Sequence, residues 1–205
     1  MRTVAGIPDT QQPTEHDDLY NRDHYAWAKQ QADAFGRRDL DAVDWENATK
    51  EIEALVTGHE SALKSQYVRI MEHFLNIQYW ETSDTDPVAQ WEISIENARI
   101  EFNTLLEDNP SLRPGAEDLF RKSWNTAKLK AVAALVNSST ARITDPSIRR
   151  REQKRLRREW TKALPSRNPF TLVHAQDLDW SPQPVRVRNR PATDHRPDSR
   201  RDWTL

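Results

Sequence analysis

Cysteine is absent from the 205-residue sequence, and glycine occurs only four times. The absence of cysteine excludes disulfide bonds, thiolate metal ligands and cysteine nucleophiles. The scarcity of glycine argues against β-sandwiches and barrels, which depend on glycine-rich turns. No segment approaches the roughly 18 consecutive apolar residues of a membrane-spanning helix, and residues 1–15 lack the apolar run of a signal peptide. These absences predict a soluble, cytoplasmic protein with no membrane span.

Charge is distributed very unevenly along the chain, although the formal net charge is only −2. Residues 1–120 contain 10 Lys and Arg against 24 Asp and Glu, which gives a net charge of −14. Residues 121–205 contain 20 Lys and Arg against 8 Asp and Glu, which gives a net charge of +12. Two interpretations follow: an acidic half packs beside a basic half, or a basic segment contacts an anionic partner.

Apolar residues recur every three or four positions, which is typical of amphipathic helices. The sequence therefore predicts an all-α fold, a helical bundle built around one long helix over residues 44–80. The apolar stripe of this helix runs from Trp45 to Ile77, with His59 as its one strongly polar member. Gly58 is the weak point of the helix, because an interior glycine costs about 1 kcal/mol relative to alanine.

Shorter helices are predicted on both sides of the long one. The buried face of the first, over residues 23–36, consists of Tyr25, Ala28, Ala32 and Phe35. Gly36 ends this helix, because glycine adopts the left-handed conformation at little cost. The remaining predicted features are helix starts at residues 86–87, 111 and 145–146, a loop at residues 137–144, and a short helix at residues 171–179.

The predicted helices form one domain over residues 18–180, preceded by a flexible segment at residues 1–17. Residues 181–205 contain six Arg and four Pro but few apolar residues. A segment of this composition cannot bury enough apolar surface to offset the entropy lost on folding. The sequence therefore predicts that residues 181–205 are a disordered, Arg- and Pro-rich tail.

An ordered series of short motifs runs through the predicted domain. It comprises Asp23-x-Tyr25-x-Trp27, Asp44-x-Glu46-Asn47, Glu51-Ile52-Glu53-x-Leu55, His73-Phe74-Leu75, Gln78-Tyr79, residues 105–114 and Asn168-Pro169-Phe170-Thr171-Leu172. In this series the chain resembles the bacterial DUF29 family over about residues 20–182. The resemblance implies an all-helical fold. It implies no activity, because the family is a domain of unknown function.

Glu51, Glu53 and His73 are the candidates for acid–base or metal chemistry. A carboxylate–imidazole group inside a helix bundle can bind a divalent metal, so a metal-dependent hydrolase is one hypothesis. Such a site needs a hairpin at Gly58, because a continuous helix would separate these residues by many turns. The alternative interpretation is two surface acids and a histidine bonded at a helix contact. Since no recognised catalytic or phosphate-binding motif is present, the favoured expectation is a chain without a cofactor or a bound metal.

Eight basic residues fall within residues 149–162 and form the candidate polyanion-binding segment. They are Arg149, Arg150, Arg151, Lys154, Arg155, Arg157, Arg158 and Lys162. One interpretation is binding to nucleic acid or another polyanion, with an affinity that falls steeply with salt. The others are a solvated face that docks on the acidic helices, and contact with a membrane surface, for which the apolar side is narrow.

Three functions follow from these patterns. The first expectation is a non-enzymatic helical module that binds a macromolecular partner, first of all another protein, through its long amphipathic helices. The alternative is association with nucleic acid or another polyanion through residues 149–162 and the tail. The metal-dependent hydrolase ranks third.

Overall fold

The computed structural model describes residues 15–80 and 87–185, and every regular element in these ranges is a helix. The α-helices are α1 (Glu15–Arg22), α2 (His24–Arg37), α3 (Trp45–Tyr79), α4 (Val88–Asp108), α5 (Ala116–Thr140), α6 (Pro146–Ala163) and α7 (Leu172–Gln176). Two 3-10 helices, Leu40–Ala42 and Pro110–Gly115, precede α3 and α5. The predicted all-α fold with one long helix is confirmed. None of the helices in the described ranges is long and apolar enough to cross a lipid bilayer.

The chain divides into two compact units, unit 1 at residues 1–58 and unit 2 at residues 59–205. The boundary falls inside α3, which continues through Gly58 as one helix. A Cβ atom added at Gly58 would meet no other atom within 4 Å, so nothing in the surroundings requires a glycine.

The predicted flexible and disordered ends lie largely outside the described residues. At the N-terminal end, α1 begins at Glu15, inside the segment predicted to be flexible. At the C-terminal end, the Val185 backbone N–H donates a hydrogen bond to the Gln78 carbonyl oxygen at 2.8 Å. The chain is therefore held against α3 up to this point, five residues into the predicted tail.

Helix α2 buries a different face from the one that the sequence predicts. Tyr25 is 78% exposed and Phe35 is 45% exposed. The buried residues of the helix are Trp27, Gln31 and Ala34. The residues of both faces recur every three or four positions, as on one side of a helix. The sequence predicts burial of the more apolar face. Gln31 is buried instead because its side-chain oxygen accepts a hydrogen bond from the Asp44 backbone N–H at 2.8 Å.

The end of α2 also differs from the prediction. Gly36 lies inside the helix, and the left-handed residue at its end is Arg38, with φ of 58°. The Arg38 N–H donates to the carbonyl oxygens of Ala34 and Phe35, which have no partner within the helix. The left-handed conformation costs a residue with a side chain roughly 1–2 kcal/mol, so the glycine rule placed this helix end too early.

The large apolar residues of the α3 stripe are buried only in the half of the helix that belongs to unit 2, and the small Ala48 is buried in unit 1. The fully buried members in unit 2 include Leu63, Tyr67, Ile70 and Phe74. In unit 1, Trp45, Ile52 and Leu55 of the same stripe are 55%, 61% and 65% exposed. Periodicity identifies the apolar face correctly, but the burial predicted for the large residues in the first half of the stripe is wrong.

Aromatic contacts join the helices of unit 2 around α3. Tyr67 packs edge-on against Phe120 of α5, with ring centroids 5.4 Å apart. About two turns further along α3, Phe74 contacts Phe170 at 5.1 Å and Trp180 at 4.9 Å. Edge-to-face pairs of this kind add to the free energy gained by burying the rings. They fix α5 and the segment that flanks α7 against α3.

Helix α5 has different limits from those predicted. It follows the 3-10 helix Pro110–Gly115 rather than starting at a cap on Ser111. It also extends to Thr140, into the segment predicted as a loop. Val136 and Thr140 are buried, and the Thr140 hydroxyl donates to the Val136 carbonyl oxygen at 2.9 Å. Burial of this last turn explains why the helix continues.

Helices α6 and α7 begin where the sequence predicts. The Asp145 carboxylate accepts hydrogen bonds from the backbone N–H groups of Ser147 and Ile148, at 2.7 and 3.0 Å. The Thr171 hydroxyl accepts one from the His174 backbone N–H at 3.2 Å. These caps provide partners for N–H groups that have none in the first turn of a helix.

Candidate functional site

Arg99 of α4 is a buried cation that holds the C-terminal segment of unit 2. The residue is 4% exposed, and its guanidinium donates hydrogen bonds to four backbone carbonyl oxygens. The acceptors are those of His174 at 2.9 Å, Ala175 at 3.0 Å, Leu178 at 3.3 Å and Trp180 at 2.9 Å. The first two lie in the last turn of α7, where carbonyls lack partners within the helix and the helix dipole favours a cation.

The guanidinium of Arg99 also lies over the Phe74 ring, with Cζ 5.6 Å from the ring centroid. Burial lowers the pKa of Arg99, and the Asp177 carboxylate opposes this effect. Since arginine stays charged in proteins, its charge is stabilised here by carbonyl dipoles and an aromatic face. Sequence patterns did not reveal this residue, because its acceptors are main-chain atoms and leave no signature in a sequence.

Two further cations bind carbonyl oxygens near helix ends in unit 2. Lys128 Nζ of α5 lies 3.2 Å from the Leu164 carbonyl oxygen and 3.0 Å from that of Pro165, just after α6. Arg149 Nε of α6 donates to the Ile143 carbonyl oxygen at 2.7 Å, just after α5. These reciprocal contacts stabilise the α5–α6 pair, and they distinguish Arg149 from the other basic residues of α6.

Glu51 is the centre of a polar cluster in unit 1. Its Oε1 accepts a hydrogen bond from the Tyr20 hydroxyl at 2.6 Å and lies 3.0 Å from His24 Nε2. Hydrogen bonds from Tyr20 and then His24 lower the pKa of Glu51. A carboxylate with a lowered pKa is a weak base, which does not suit acid–base catalysis near neutral pH. Its position instead links α1 and α2 to α3.

Asp44 connects α2 to the start of α3 beside this cluster. Its Oδ2 accepts hydrogen bonds from Trp27 Nε1 at 3.1 Å and from Asn47 Nδ2 at 2.8 Å. Its Oδ1 accepts one from the Asn47 backbone N–H at 3.2 Å, so Asp44 also caps α3. The motif residues Trp27, Asp44, Asn47 and Glu51 thus contribute to hydrogen bonds that hold unit 1 together.

The remaining members of the proposed catalytic group lie in other surroundings. Glu53 is exposed on α3, and His73 belongs to unit 2. Because α3 continues through Gly58 as a helix, the hairpin that a shared site requires does not form. Within residues 15–80 and 87–185, no three His, Asp or Glu side chains come together as metal ligands.

His73 lies in the contact between α3 and α4 of unit 2. Its Nε2 is 3.0 Å from Ser94 Oγ, and its ring stacks on Trp91 with centroids 6.4 Å apart. Its Nδ1 is buried and has no hydrogen-bond partner among the described residues. Burial, assisted by Arg69 and Lys130, lowers the pKa of His73 to about 4. The imidazole is therefore neutral at pH 7, as suits a histidine bonded at a helix contact.

Helix α6 presents one exposed and strongly basic surface. Six of its basic residues are exposed and form what we call the basic face: Arg150, Arg151, Lys154, Arg157, Arg158 and Lys162. At 3.6 residues per turn, these six positions fall within an arc of about 140° around the helix. In the part of the chain that the structure describes, none of the six side chains forms an ion pair or a hydrogen bond. The basic face is thus available to an external partner.

The opposite side of α6 anchors the helix in unit 2. Leu156 is 1% exposed and Trp160 is 4% exposed, both in the core. Arg155 forms ion pairs with Glu152 at 2.8 Å and with Glu159 at 2.9 Å. Both acidic residues of α6 are therefore neutralised on the helix itself, away from the basic face.

One comparison identifies the family. The model of DUF29, described as a domain of unknown function, matches residues 19–181. No curated protein and no solved structure matches the chain significantly. The matched residues span most of the sequence and include the hydrogen-bonded motifs around Asp44 and the packed motif residues Phe74 and Phe170. The chain therefore belongs to the DUF29 family.

Proposed function

We propose that the chain is a non-enzymatic helical binding module, and that its macromolecular partner is a nucleic acid held by the basic face of α6. The observation that supports this proposal is the exposure of six basic side chains on one surface of one helix. A nucleic acid carries a regular series of phosphates, which such a surface attracts without reading base sequence. The bacterial cytoplasm, the location predicted from the sequence, contains such partners.

The net positive charge of the second half of the chain adds to this attraction. Residues 121–205 have a net charge of +12, and six of their Arg follow residue 185 in the chain. Within α6, Arg155 neutralises Glu152 and Glu159, so these carboxylates oppose the approach of a phosphate only weakly. Attraction of this kind increases association rates and is screened by salt.

A membrane surface fits the basic face less well than a nucleic acid does. An interfacial membrane helix inserts an exposed apolar face among the lipid headgroups. In α6 the apolar residues Leu156 and Trp160 are buried in unit 2, and Ile148 is the large apolar side chain left exposed, at 51%. The basic face therefore offers charge with little apolar area, which favours phosphate contacts over insertion.

We expect the combined changes Arg150→Gln, Lys154→Gln, Arg157→Gln and Arg158→Gln to weaken nucleic-acid binding more than tenfold at about 50 mM salt. Each lost phosphate contact removes roughly 0.7–0.9 from the slope of log affinity against log salt, so the slope should fall by about 3. Fluorescence anisotropy with a labelled single strand and a labelled duplex measures both quantities. Thermal melting followed by circular dichroism shows that the variant is folded.

A matched variant removes four exposed cations outside the basic face: Lys29→Gln, Arg113→Gln, Arg121→Gln and Lys122→Gln. It has the same net charge as the first variant, so it controls for general electrostatic attraction. We expect it to change the affinity less than threefold. An equal loss in both variants contradicts the proposal, and so does binding to anionic vesicles without binding to nucleic acid.

A protein partner is the second candidate, and the exposed half of the α3 stripe favours it. The exposed apolar residues there are Trp45 at 55%, Ile52 at 61%, Leu55 at 65% and Val56 at 59%. Over residues 45–58, three acidic residues accompany a single lysine. We infer that this exposed surface binds a basic amphipathic helix of another protein, since such a helix complements its apolar side chains and its net negative charge.

For this second candidate we expect a synthetic helical peptide of Leu and Lys to bind the chain. The double change Ile52→Ser and Leu55→Ser should weaken binding at least fivefold, as measured by anisotropy of the labelled peptide. The control changes Leu129→Ser and Val173→Ser remove apolar side chains that are each 67% exposed in unit 2, and they should have no effect. A Leu and Glu peptide of equal length should bind more weakly. Equal binding of the two peptides would rule out the inferred partner.

A further inference from the structure

A groove of about 620 Å³ lies between α3 and α5 of unit 2, on a surface distinct from the basic face. Its polar lining includes Lys64, Ser65, Arg69 and Glu72 of α3, and Thr126 and Lys130 of α5. The volume falls within the range of roughly 300–1,000 Å³ that is usual for small-molecule sites. None of the residues of the basic face lines this groove, so any ligand of the groove is bound independently of α6.

Helical spacing places the groove residues in rows. On α3, Ser65 and Arg69 are four residues apart, as are Lys64 and Val68, so each pair projects from the same side of the helix. On α5, Thr126 and Lys130 have the same spacing. The groove thus has hydroxyl and cationic groups on both of its walls, with the buried Val68 as an apolar contact.

The charges in the groove are unbalanced, with three cations and one carboxylate. Lys130 Nζ lies 3.9 Å from the Glu72 carboxylate, and Arg69 lies 3.9 Å from Glu101 of α4. Both distances are at the long limit for an ion pair, and the exposed pair of Arg69 and Glu101 contributes little to stability. Lys64 has no ion pair within the described residues. The three cations can therefore reorient toward a ligand at low cost.

His73 also lines the groove and adds no positive charge at pH 7, because burial lowers its pKa to about 4. Its buried Nδ1 has no hydrogen-bond partner in the described part of the chain. The ring therefore adds no charge to the groove, and its Nε2 already bonds to Ser94 Oγ at 3.0 Å.

We propose that the α3–α5 groove binds a small organic phosphate, with Lys64, Arg69 and Lys130 holding the phosphate group. A phosphate monoester carries a charge of about −1.5 to −2 at pH 7, which is opposite in sign to the excess of cations in the groove lining. The Thr126 hydroxyl can donate a further hydrogen bond to a phosphate oxygen, whereas the Ser65 hydroxyl already donates to the Ser61 carbonyl oxygen at 2.8 Å. Val68 provides an apolar contact for the organic part, which distinguishes an ester from the free ion.

Amide chemical shifts in a ¹⁵N-labelled sample of the full chain provide a direct test. The probes are glycerol 3-phosphate, adenosine 5′-monophosphate and inorganic phosphate, each added separately, with glycerol and adenosine as uncharged controls. We expect saturable shifts from at least one ester, concentrated at residues 64–73 and 126–130, and weaker binding of inorganic phosphate. Shifts that map to α6, shifts that do not saturate, or inorganic phosphate binding as tightly as both esters would each overturn the proposal.

Variants of the cations test the assignment of residues. Arg69→Gln with Lys130→Gln should weaken ester binding at least tenfold, because two of the three cations are lost. The matched pair Lys29→Gln and Arg113→Gln removes the same charge elsewhere and should change the affinity less than twofold. An equal loss in the two pairs means that the anion senses only net charge, and the groove is then not its site.

Glu72→Gln tests the same site by a gain of affinity, which a damaged fold cannot produce. Removing the single carboxylate of the groove should strengthen ester binding about threefold to tenfold, because a like charge near the phosphate disappears. Glu96→Gln, at an exposed position of α4, makes the same change in net charge outside the groove and should have no such effect. No gain in Glu72→Gln, or an equal gain in both variants, would refute the proposed site.

Discussion

Arg99→Met is expected to lower the free energy of unfolding by about 3–5 kcal/mol, a large fraction of the stability of a typical domain. The substitution removes a buried charge and leaves four carbonyl oxygens without their donor, including those of Ala175 and Trp180. A buried polar group that loses its partner retains the full cost of its removal from water. Methionine has a similar length, so it fills the space and isolates the loss of hydrogen bonding. Urea unfolding, followed by circular dichroism, measures the change.

Arg99→Lys separates charge from geometry. A lysine ammonium retains the charge but has a single donor nitrogen, so it cannot reach four acceptors as the guanidinium fork does. We expect it to recover less than half of the lost stability. Amide hydrogen exchange over residues 172–180 should accelerate in both variants, since the segment loses its anchor. The exposed Arg113→Met is the matched control, and a loss of less than 1 kcal/mol in Arg99→Met would contradict this role.

Arg99 and Gln31 also show why part of the fold could not be predicted from the sequence. Both are polar residues at buried positions, where apolar periodicity places Leu, Ile or Val. Arg99 donates to backbone carbonyl oxygens of a segment that is distant in sequence. The side-chain oxygen of Gln31 accepts from a backbone N–H at the start of a helix. Main-chain partners have no residue type, so no motif points to them. The helix starts at Asp145 and Thr171 were predicted correctly for the opposite reason, because a capping side chain bonds to its own neighbours.

The apolar stripe of α3 illustrates a second limit of prediction from the sequence. The spacing of Trp45, Leu63 and Phe74 identifies one apolar face along the whole helix, and the structure retains that face. Spacing contains no information about how many other helices cover it, and its large apolar residues are buried only in unit 2. The exposure of the basic residues of α6 could not be predicted from the sequence either. Their charge is visible in the sequence, but their exposure depends on Leu156 and Trp160 lying in the core.

The polar cluster around Glu51 was missed because one of its elements was not predicted. Tyr20 lies on α1, a helix without a clear apolar stripe, and the sequence predicts no helix before residue 23. Without α1, Glu51 lacks its partner Tyr20 and resembles a surface carboxylate that is available for catalysis. The bond from Tyr20 to Glu51, 2.6 Å long, gives this carboxylate a structural role that residue type and spacing alone could not reveal.

The second large effect concerns acid stability, and His73 is its source. In an unfolded chain a histidine has a pKa near 6.5, whereas burial lowers the pKa of His73 in the folded protein to about 4. Above pH 6.5 both states are neutral, so this residue gives the stability no pH dependence. Between pH 6.5 and about 4, His73 is protonated in the unfolded state but remains neutral in the folded state. The free energy of unfolding must therefore fall across this window as the pH decreases.

We expect His73→Gln to remove about 2 kcal/mol of this acid-induced loss of stability between pH 6.5 and 4. The shift in pKa alone would give roughly 3 kcal/mol, and screening by solvent at this partly exposed ring reduces it. Glutamine can still donate a hydrogen bond to Ser94 Oγ but does not titrate. Urea midpoints measured across the window for both proteins give the difference directly.

Charged groups near His73 also affect how the stability depends on pH, and they determine which control variants are needed. Arg69 and Lys130 assist burial in lowering the pKa of His73. Burial raises the pKa of Glu72, so the folded state takes up this proton more readily and Glu72 opposes the loss as the pH falls. Glu72→Gln should therefore steepen the loss of stability in acid, while His73→Gln should flatten it. The exposed His59 on the same helix provides the matched control, and parallel profiles for wild type and His73→Gln would exclude His73 as the group responsible.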